Sequence, residues 1–168
     1  LRIREKKSLW RIRSVVDSPQ GSHITIDQHE YLAFTSNDYL GLANHPDLIQ
    51  AVCKGAQRFG VGTGASHMLH GHFGVHHELE CALAQFVGFP AALLFSTGYM
   101  ANIGVITALV GREDAIFADK LNHASLNDAA LLSRAAFIRY SHLDLATLQQ
   151  RLAASRAKRK LVITDAVF

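Results

Sequence analysis

The sequence contains few of the residues that build cross-linked or metal-stapled small domains. Its 168 residues include two cysteines, three prolines and one tryptophan. Cys53 and Cys81 lie inside helical patterns, without the C-x-x-C spacing of zinc or redox sites. This scarcity excludes a disulfide framework, and we expect both cysteines to be buried thiols in a reducing compartment.

Long apolar runs are also missing. No run reaches the roughly 20 residues that a helix needs to cross a bilayer, and no apolar segment follows the charged first residues as in a secretory signal. The net charge is +3, and the positive residues concentrate at 2–13 and 156–160. Aromatic residues do not interleave with the second run, which favours a solvated surface over nucleic-acid binding. We therefore expect a cytoplasmic protein that binds neither membrane nor nucleic acid.

The residues that are present predict an α/β protein. The sequence is 49% apolar, which is enough to bury a substantial core. Apolar strands alternate with helices, a pattern typical of βαβ units in a parallel sheet that is covered on both faces. We predict strands at 23–27, 30–34, 92–96, 115–119, 136–140 and 161–165. We predict helices at 1–16, 46–59, 76–87, 98–110, 124–133 and 144–154, the second of them capped by Asn44 or His45.

Two segments in the middle of the chain are candidates for chemistry. The segment FSTGYMAN (95–102) reads as the end of a strand, a turn of small residues and the start of a helix. Free amide groups at such a helix N-terminus can bind a phosphate. The segment LNHAS (121–125) places His123 at the start of another helix, directly after a strand. Ligands bind at this edge of α/β sheets, so a functional role for His123 is as plausible as a structural one.

Other motifs favour less specific interpretations. The loop at 60–74 contains G-x-G-x-x-A, but it follows a helix and lacks the later acidic residue of a dinucleotide site. We expect its glycines to allow a tight backbone path near a ligand or a partner subunit. Several histidines lie between 67 and 77, but the segment HELEC (77–81) lacks the second histidine of H-E-x-x-H, and we predict no metal site. The G-x-S-x-G elbow of serine hydrolases is also missing, and Ser125 reads as a cap or hydrogen-bonding group.

The motifs taken together resemble the α-oxoamine synthase family. The resemblance rests on four segments in the family's order: SNDYLGLANHP (36–46), GVGTGASHMLHGHFGVHHELE (60–80), LLFSTGYMAN (93–102) and DKLNHASLNDA (119–129). It implies the aspartate aminotransferase-like fold of pyridoxal 5′-phosphate (PLP) transferases, with 1–45 as an N-terminal segment and 46–168 as part of the PLP-binding large domain. It also implies a homodimer that condenses an amino acid with an acyl thioester and releases carbon dioxide. The residues of the second segment favour L-alanine and a pimeloyl thioester over the substrates of the glycine-using relatives.

The resemblance assigns roles to five residues. Gly98 and Tyr99 would donate backbone hydrogen bonds to the cofactor phosphate, and His123 would stack on the pyridine ring and help to hold the substrate. Arg11 would contact the acyl substrate, and Asn37 would approach the carboxylate of the amino acid.

The family's Schiff-base lysine, its ring-nitrogen aspartate and a further histidine correspond to positions beyond Phe168. We therefore expect residues 1–168 alone to be inactive. Another α-oxoamine synthase and a non-catalytic binding module remain open as alternatives.

Overall fold

A computed structural model describes residues 5–7, 10 and 12–168 of the chain. The chain divides into two compact units, Leu1–Phe73 and Gly74–Phe168. The predicted boundary lay at 45/46, and the assignment of 46–168 to a PLP-binding domain stays a prediction. No helix within the described ranges is both long and apolar enough to span a bilayer.

The first unit contains an antiparallel hairpin formed by β1 (His23–Ile26) and β2 (His29–Leu32). Asp27 and Gln28 connect the strands with φ values of 48° and 65°. Two successive positive φ values are the signature of a type I′ turn, whose twist matches that of the paired strands. The two predicted strands are thus confirmed, with bounds shifted by one or two residues.

The predicted helix over 1–16 is wrong where the structure describes its second half. Residues 12–15 are not helical, and Val16 forms an isolated antiparallel bridge with Ile26. The amide of Asp17 donates to the carbonyl of Thr25 at 2.9 Å. The backbone here pairs with the edge of the hairpin, and this pairing overrides the local helical preference.

Helix α1 (Pro46–Phe59) begins and ends as its sequence predicts. Nδ1 of His45 accepts from the amide of Asp47 at 3.3 Å, so His45 is the N-cap, and Pro46 occupies the first helical turn. Gly60 ends the helix with a φ of 79°.

The prediction that both cysteines are buried is wrong, because Cys53 and Cys81 are exposed. Cys53 lies on α1, a helix with no buried residue. Helical periodicity shows that a helix has an apolar face, but only tertiary packing decides whether that face is covered.

The second unit contains a parallel three-stranded sheet in which β3 (Ala115–Asp119) lies between β4 (Ala136–Tyr140) and β5 (Lys160–Ile163). Its elements in chain order are α2 (Gly74–Val87), α3 (Gly98–Leu109), β3 (Ala115–Asp119), α4 (Ala124–Ser133), β4 (Ala136–Tyr140), α5 (Leu145–Ala154) and β5 (Lys160–Ile163). Every residue of the central strand β3 is buried. The apolar cluster around it combines residues of α3, α4 and β5 with those of β3: Ile106, Val110, Ile116, Ala118, Leu126, Ala129, Ala130 and Ile163. The predicted α/β class and parallel sheet are therefore confirmed.

The predicted strand at 92–96 does not form among the described residues. A strand is defined by its pairing, and the described sheet consists of β4, β3 and β5 without this segment. The amide of Leu94 instead donates to Oε1 of Glu80 at 2.9 Å. A side chain of α2 thus satisfies a backbone group that a neighbouring strand would otherwise bind.

The carboxylate of Asp114, directly before β3, ties the start of this strand to the start of β5. It accepts from the amides of Gly111 at 2.9 Å and Arg159 at 3.0 Å, and the guanidinium of Arg159 lies 3.3 Å from it. The amide of Gly111 contributes most to a pKa for Asp114 below 3.8, and the charge of Arg159 adds to the effect although burial opposes it.

We expect Asp114→Asn to lower the melting temperature at neutral pH and to make acid unfolding less steep. The folded-state pKa of Asp114 lies below the unfolded value of 3.8, so its stabilising contribution is present above that pH. The contribution disappears as the pH falls through the folded-state pKa. Thermal unfolding followed by circular dichroism across the acid range measures both effects.

The matched control is Glu113→Gln. Glu113 is the neighbouring acid, and its exposed carboxylate pairs with Lys158 at 3.5 Å. Exposed pairs contribute little to stability, so this variant should keep the parent's melting temperature and pH profile. Equal effects of the two substitutions would show that Asp114 has no special role.

Candidate cofactor-binding site

The N-terminal ends of α3 and α4 lie side by side and are joined by two hydrogen bonds. Tyr99 Oη donates to Oδ2 of Asp128 at 2.6 Å, and Asn102 Nδ2 donates to Oγ of Ser125 at 2.9 Å. Both donors come from the first turns of α3, and both acceptors come from the first turns of α4. The fold thus brings together the two segments that the sequence singled out.

The N-terminus of α3 has the features of a phosphate site. The N-cap Thr97 is extended, and its hydroxyl accepts from the amide of Met100 at 3.2 Å. Within the described part of the chain, no hydrogen bond uses the amide N–H groups of Gly98 and Tyr99. A Cβ added at Gly98 would meet no atom within 4 Å apart from its two chain neighbours and the nearby backbone of its own helix. Two amide donors at the positive end of a helix, with open space beside them, fit a phosphate group.

His123 is the N-cap of α4. Its Nδ1 accepts from the amide of Ser125 at 3.2 Å, and its own amide donates to Oδ2 of Asp165 at 2.7 Å. The side chain of His123 is exposed to solvent. Asp165 lies just beyond the carboxyl end of β5. The loop after β5 therefore binds the backbone of the histidine that follows β3.

Asp119, the last residue of β3, stabilises the loop that leads to His123. One carboxylate oxygen accepts from the amide of Leu121 at 2.8 Å, and the other lies 2.9 Å from Nδ1 of His142. Burial tends to raise the pKa of this carboxyl group, but the hydrogen bonds from Leu121 and His142 outweigh it and the pKa is lowered. An ionised Asp119 therefore holds the loop in which His123 begins α4.

The hydrogen bond between Tyr99 and Asp128 keeps the phenol of Tyr99 protonated. This bond is the largest cause of a pKa above 10.0 for Tyr99, and desolvation and the carboxylate charge act in the same direction. Tyr99 thus contributes in two ways, with its backbone amide facing the candidate phosphate site and its side chain fastening α3 to α4.

The predicted site residues that the structure describes belong to two different units. Gly98, Tyr99 and His123 lie at the N-terminal ends of α3 and α4 in the second unit, whereas Asn37 is an exposed residue of the first unit. Arg11 lies outside the described residues. The functional roles of all five residues stay predictions.

Sequence reasoning missed Asn102, Asp128 and Asp165. A signal for the first two was present, because Tyr99–Asn102 and Ser125–Asp128 have the i, i+3 spacing that places two residues on one helix face. A polar pair near the start of each of two helices indicates faces that can meet through hydrogen bonds. The sequence offers no comparable signal for Asp165, which reaches His123 only through the order of the strands.

Comparison with protein families decides the wider assignment. The sequence model of the family described as aminotransferase class I and II matches residues 29–168. The chain belongs to this family. This confirms the predicted PLP-dependent transferase fold, of which the chain contains a part.

Curated relatives named 8-amino-7-oxononanoate synthase match this class I/II aminotransferase chain over its whole length. The protein from Nitrosomonas eutropha is 66% identical over 168 residues, which are 43% of its length. The protein from Nitrosospira multiformis is 67% identical over the same 168 residues, which are 42% of its length. The chain therefore spans less than half the length of these relatives, and the predicted resemblance is confirmed.

Solved structures agree with the family assignment. A serine palmitoyltransferase from Sphingomonas wittichii is 33% identical with a TM-score of 0.88, over 95% of this chain and 42% of that one. A serine palmitoyltransferase from S. paucimobilis with a bound PLP–myriocin aldimine is 34% identical with a TM-score of 0.85, over 89% and 38%. An 8-amino-7-oxononanoate synthase from Francisella tularensis is 36% identical with a TM-score of 0.59, over 70% and 32%. The predicted cofactor is thus confirmed for relatives with this fold.

We expect Asp128→Asn to lower the pKa of Tyr99 towards 10.0, because the substitution removes the charged acceptor of the phenol hydrogen bond. Carbon-13 NMR of labelled tyrosine rings measures this pKa directly. Asp47→Asn, an exposed change on α1, is the control and should leave it unchanged. An unchanged Tyr99 titration in Asp128→Asn would show that the hydrogen bond does not form in solution.

Proposed function

We propose that the chain is the N-terminal part of an 8-amino-7-oxononanoate synthase of biotin biosynthesis. In this proposal the complete enzyme binds PLP and condenses L-alanine with pimeloyl-CoA, or with a pimeloyl carrier protein, with loss of carbon dioxide. The names of relatives that are 55–67% identical over the whole chain support this proposal over other members of the family.

The observation that carries the proposal is the adjacency of two chemically different groups. The open amides of Gly98 and Tyr99 suit a phosphate, and an exposed imidazole, that of His123, begins the helix packed beside them. A phosphorylated aromatic cofactor needs both kinds of contact, one for its phosphate and one for its ring. PLP is such a cofactor.

The bound cofactor would supply a protonated pyridine ring that accepts electron density from the α-carbon of the amino acid. The residues of this chain bind and orient. The amides of Gly98 and Tyr99 hold the phosphate, and the Thr97 cap keeps these donors preorganised because it occupies the amide of Met100. His123 contacts the ring and limits the positions that the substrate can take.

Two further residues have proposed substrate roles. The guanidinium of Arg11 can pair with a carboxylate or phosphate of the acyl donor, since its planar fork of N–H donors matches either group. The amide of Asn37 can donate to the carboxylate of the amino acid. We also propose that the complete enzyme is a cytoplasmic homodimer.

A second α-oxoamine synthase activity has one observation in its favour. The structural matches to serine palmitoyltransferases, at TM-scores of 0.85 and 0.88, exceed the value of 0.59 for the 8-amino-7-oxononanoate synthase from Francisella tularensis. The fold alone therefore does not choose the substrates, and the choice rests on the identity to the named relatives.

A thiol-release assay on the complete gene product that contains this chain distinguishes the candidates. We expect L-alanine with pimeloyl-CoA to be turned over at least about tenfold faster than glycine with acetyl-CoA or succinyl-CoA, or serine with palmitoyl-CoA. Such a ratio corresponds to roughly 1.4 kcal/mol of difference in transition-state binding. Preference for another pair would assign the protein to that branch of the family.

The control for this assay is each thioester with the gene product but without the amino acid, which separates condensation from hydrolytic thiol release. Release from none of the thioesters, by a folded protein that binds PLP, would contradict the proposed enzyme. That result would favour the non-catalytic binding module.

We expect Gly98→Pro to weaken PLP binding by the complete protein about tenfold to a hundredfold. Proline removes the amide donor of residue 98, and a hydrogen bond to a charged group contributes roughly 1.5–3 kcal/mol. Proline suits the first helical position, and the preceding Thr97 already has the extended conformation that proline requires, with φ −148° and ψ 154°. The helix should therefore persist, and a PLP absorbance titration measures the change in Kd.

Gly98→Ala is the matched control because it adds a Cβ but keeps the amide. Beyond its two chain neighbours and the nearby backbone of its own helix, no atom lies within 4 Å of that Cβ position, so the variant should fold and bind PLP much more tightly than Gly98→Pro. Equal losses in the two variants would indicate that space, and not the amide donor, matters at residue 98.

A further inference from the structure

Two groups of Ser125 contact the same ring nitrogen of His123. The backbone amide of Ser125 donates to Nδ1 at 3.2 Å, and its Oγ lies 2.6 Å from that atom. An amide N–H can only donate a hydrogen bond, so Nδ1 is the acceptor and carries no proton. The proton of a neutral His123 must therefore lie on Nε2.

This arrangement also fixes the direction of the Ser125 hydroxyl. An oxygen and an unprotonated nitrogen at 2.6 Å cannot both present lone pairs, so the hydroxyl donates to Nδ1. Its oxygen is then an acceptor, and Asn102 Nδ2 donates to it at 2.9 Å. The same reasoning places Nδ2 of Asn102, and not its oxygen, beside Ser125. The single proton of the Ser125 hydroxyl already lies in the bond to Nδ1, so an amide oxygen there would find no donor.

The two hydrogen bonds that fix the direction of the Ser125 hydroxyl are shielded from solvent. Ser125 is 1% exposed, and Asn102 is half-buried on the facing side of α3. Water therefore cannot readily replace either partner of the Ser125 hydroxyl, and successive bonds of the same direction strengthen one another. The imidazole itself remains exposed, and no hydrogen bond within the described residues uses its Nε2.

We propose that Ser125 and Asn102 are positioning residues that fix His123 as the tautomer protonated at Nε2. His123 then presents a hydrogen-bond donor to its ligand and does not act as a base while these bonds are intact. Such a donor selects an acceptor atom, for example a carboxylate or phenolate oxygen. The inference deepens the proposed function and depends on it only for the identity of that ligand.

Nitrogen-15 NMR of the imidazole ring in the complete gene product that contains this chain tests the proposal without added PLP or substrate. His123→Gln assigns the signals of His123 by their loss. In the neutral ring we expect the shift of an unprotonated nitrogen at Nδ1 and of a protonated nitrogen at Nε2. The opposite assignment, or an average of the two tautomers, would overturn the proposal.

Asn102→Asp keeps the shape of the side chain but reverses the direction of its hydrogen bond with Ser125. A carboxylate only accepts, so it accepts the hydrogen bond of the Ser125 hydroxyl, which then no longer donates to Nδ1. The backbone amide of Ser125 still donates to Nδ1, so Nδ1 stays unprotonated with one donor fewer, and we expect its signal to move further from that of a protonated nitrogen. Ala108→Asp is the control, because it adds the same charge at an exposed position on the same helix and should leave the signal unchanged. An unchanged signal in Asn102→Asp, or an equal shift in both variants, would contradict the proposal.

Ser125→Ala gives a second test. It keeps the backbone amide but removes one of the two donors to Nδ1, so the Nδ1 signal should move further from the protonated position. A Ser125 that only stabilised the fold would lower the melting temperature and leave this signal in place. These measurements use no added cofactor or thioester. The NMR tests and the condensation assay can therefore fail independently of each other.

Discussion

The burial of β3 between two parallel neighbours is the constraint on which the second unit depends. β4 pairs with one edge of β3 and β5 with the other, so the backbone groups of this strand are satisfied inside the core. Ile116 and Phe117 are fully buried, and Ala129 and Ala130 let α4 approach the sheet closely. Once β3 is fixed, the position of its carboxyl end and the start of α4 are fixed as well.

Two carboxylates connect the buried sheet to the loops that form the candidate site. Asp114 directly precedes β3 and Asp119 is its last residue, and both are buried acids whose hydrogen bonds lower their pKa values. Asp114 ties the start of β3 to the start of β5, and Asp119 holds the loop before His123. Ionised carboxylates surrounded by N–H donors are compatible with burial because the donors replace the lost water.

The site is assembled from the beginnings of two helices, where backbone donors lack intrahelical partners. Side chains satisfy some of these donors, such as the amides of Met100 and Ser125. Among the described residues no hydrogen bond uses the amides of Gly98 and Tyr99, and in the proposed function they bind the cofactor phosphate. His123 caps α4 and, in the proposed function, also faces the ligand, so the hydrogen bonds that stabilise the helix would also determine which ring nitrogen carries a proton. Stability and recognition are thus linked in one side chain.

Much of this architecture was determined by local sequence. The strand Ala115–Asp119, the helix Ala124–Ser133 and the capping of α1 follow from apolar runs, small residues and cap chemistry that act over a few positions. Likewise, the turn of small residues before Gly98 and the position of His123 mark the candidate site, because helix termini have the same chemistry wherever they occur.

Tertiary structure decided what depends on distant partners. The segment 92–96 has a strand-like sequence but forms no strand among the described residues, and Cys53 lies exposed on a helix of apolar periodicity. The contacts of His123 with Asp165, and of Ser125 with Asn102, join residues that are far apart in sequence. Sequence patterns report what a segment prefers, whereas pairing, burial and the direction of a hydrogen bond require a second group. Only the fold brings that group into place.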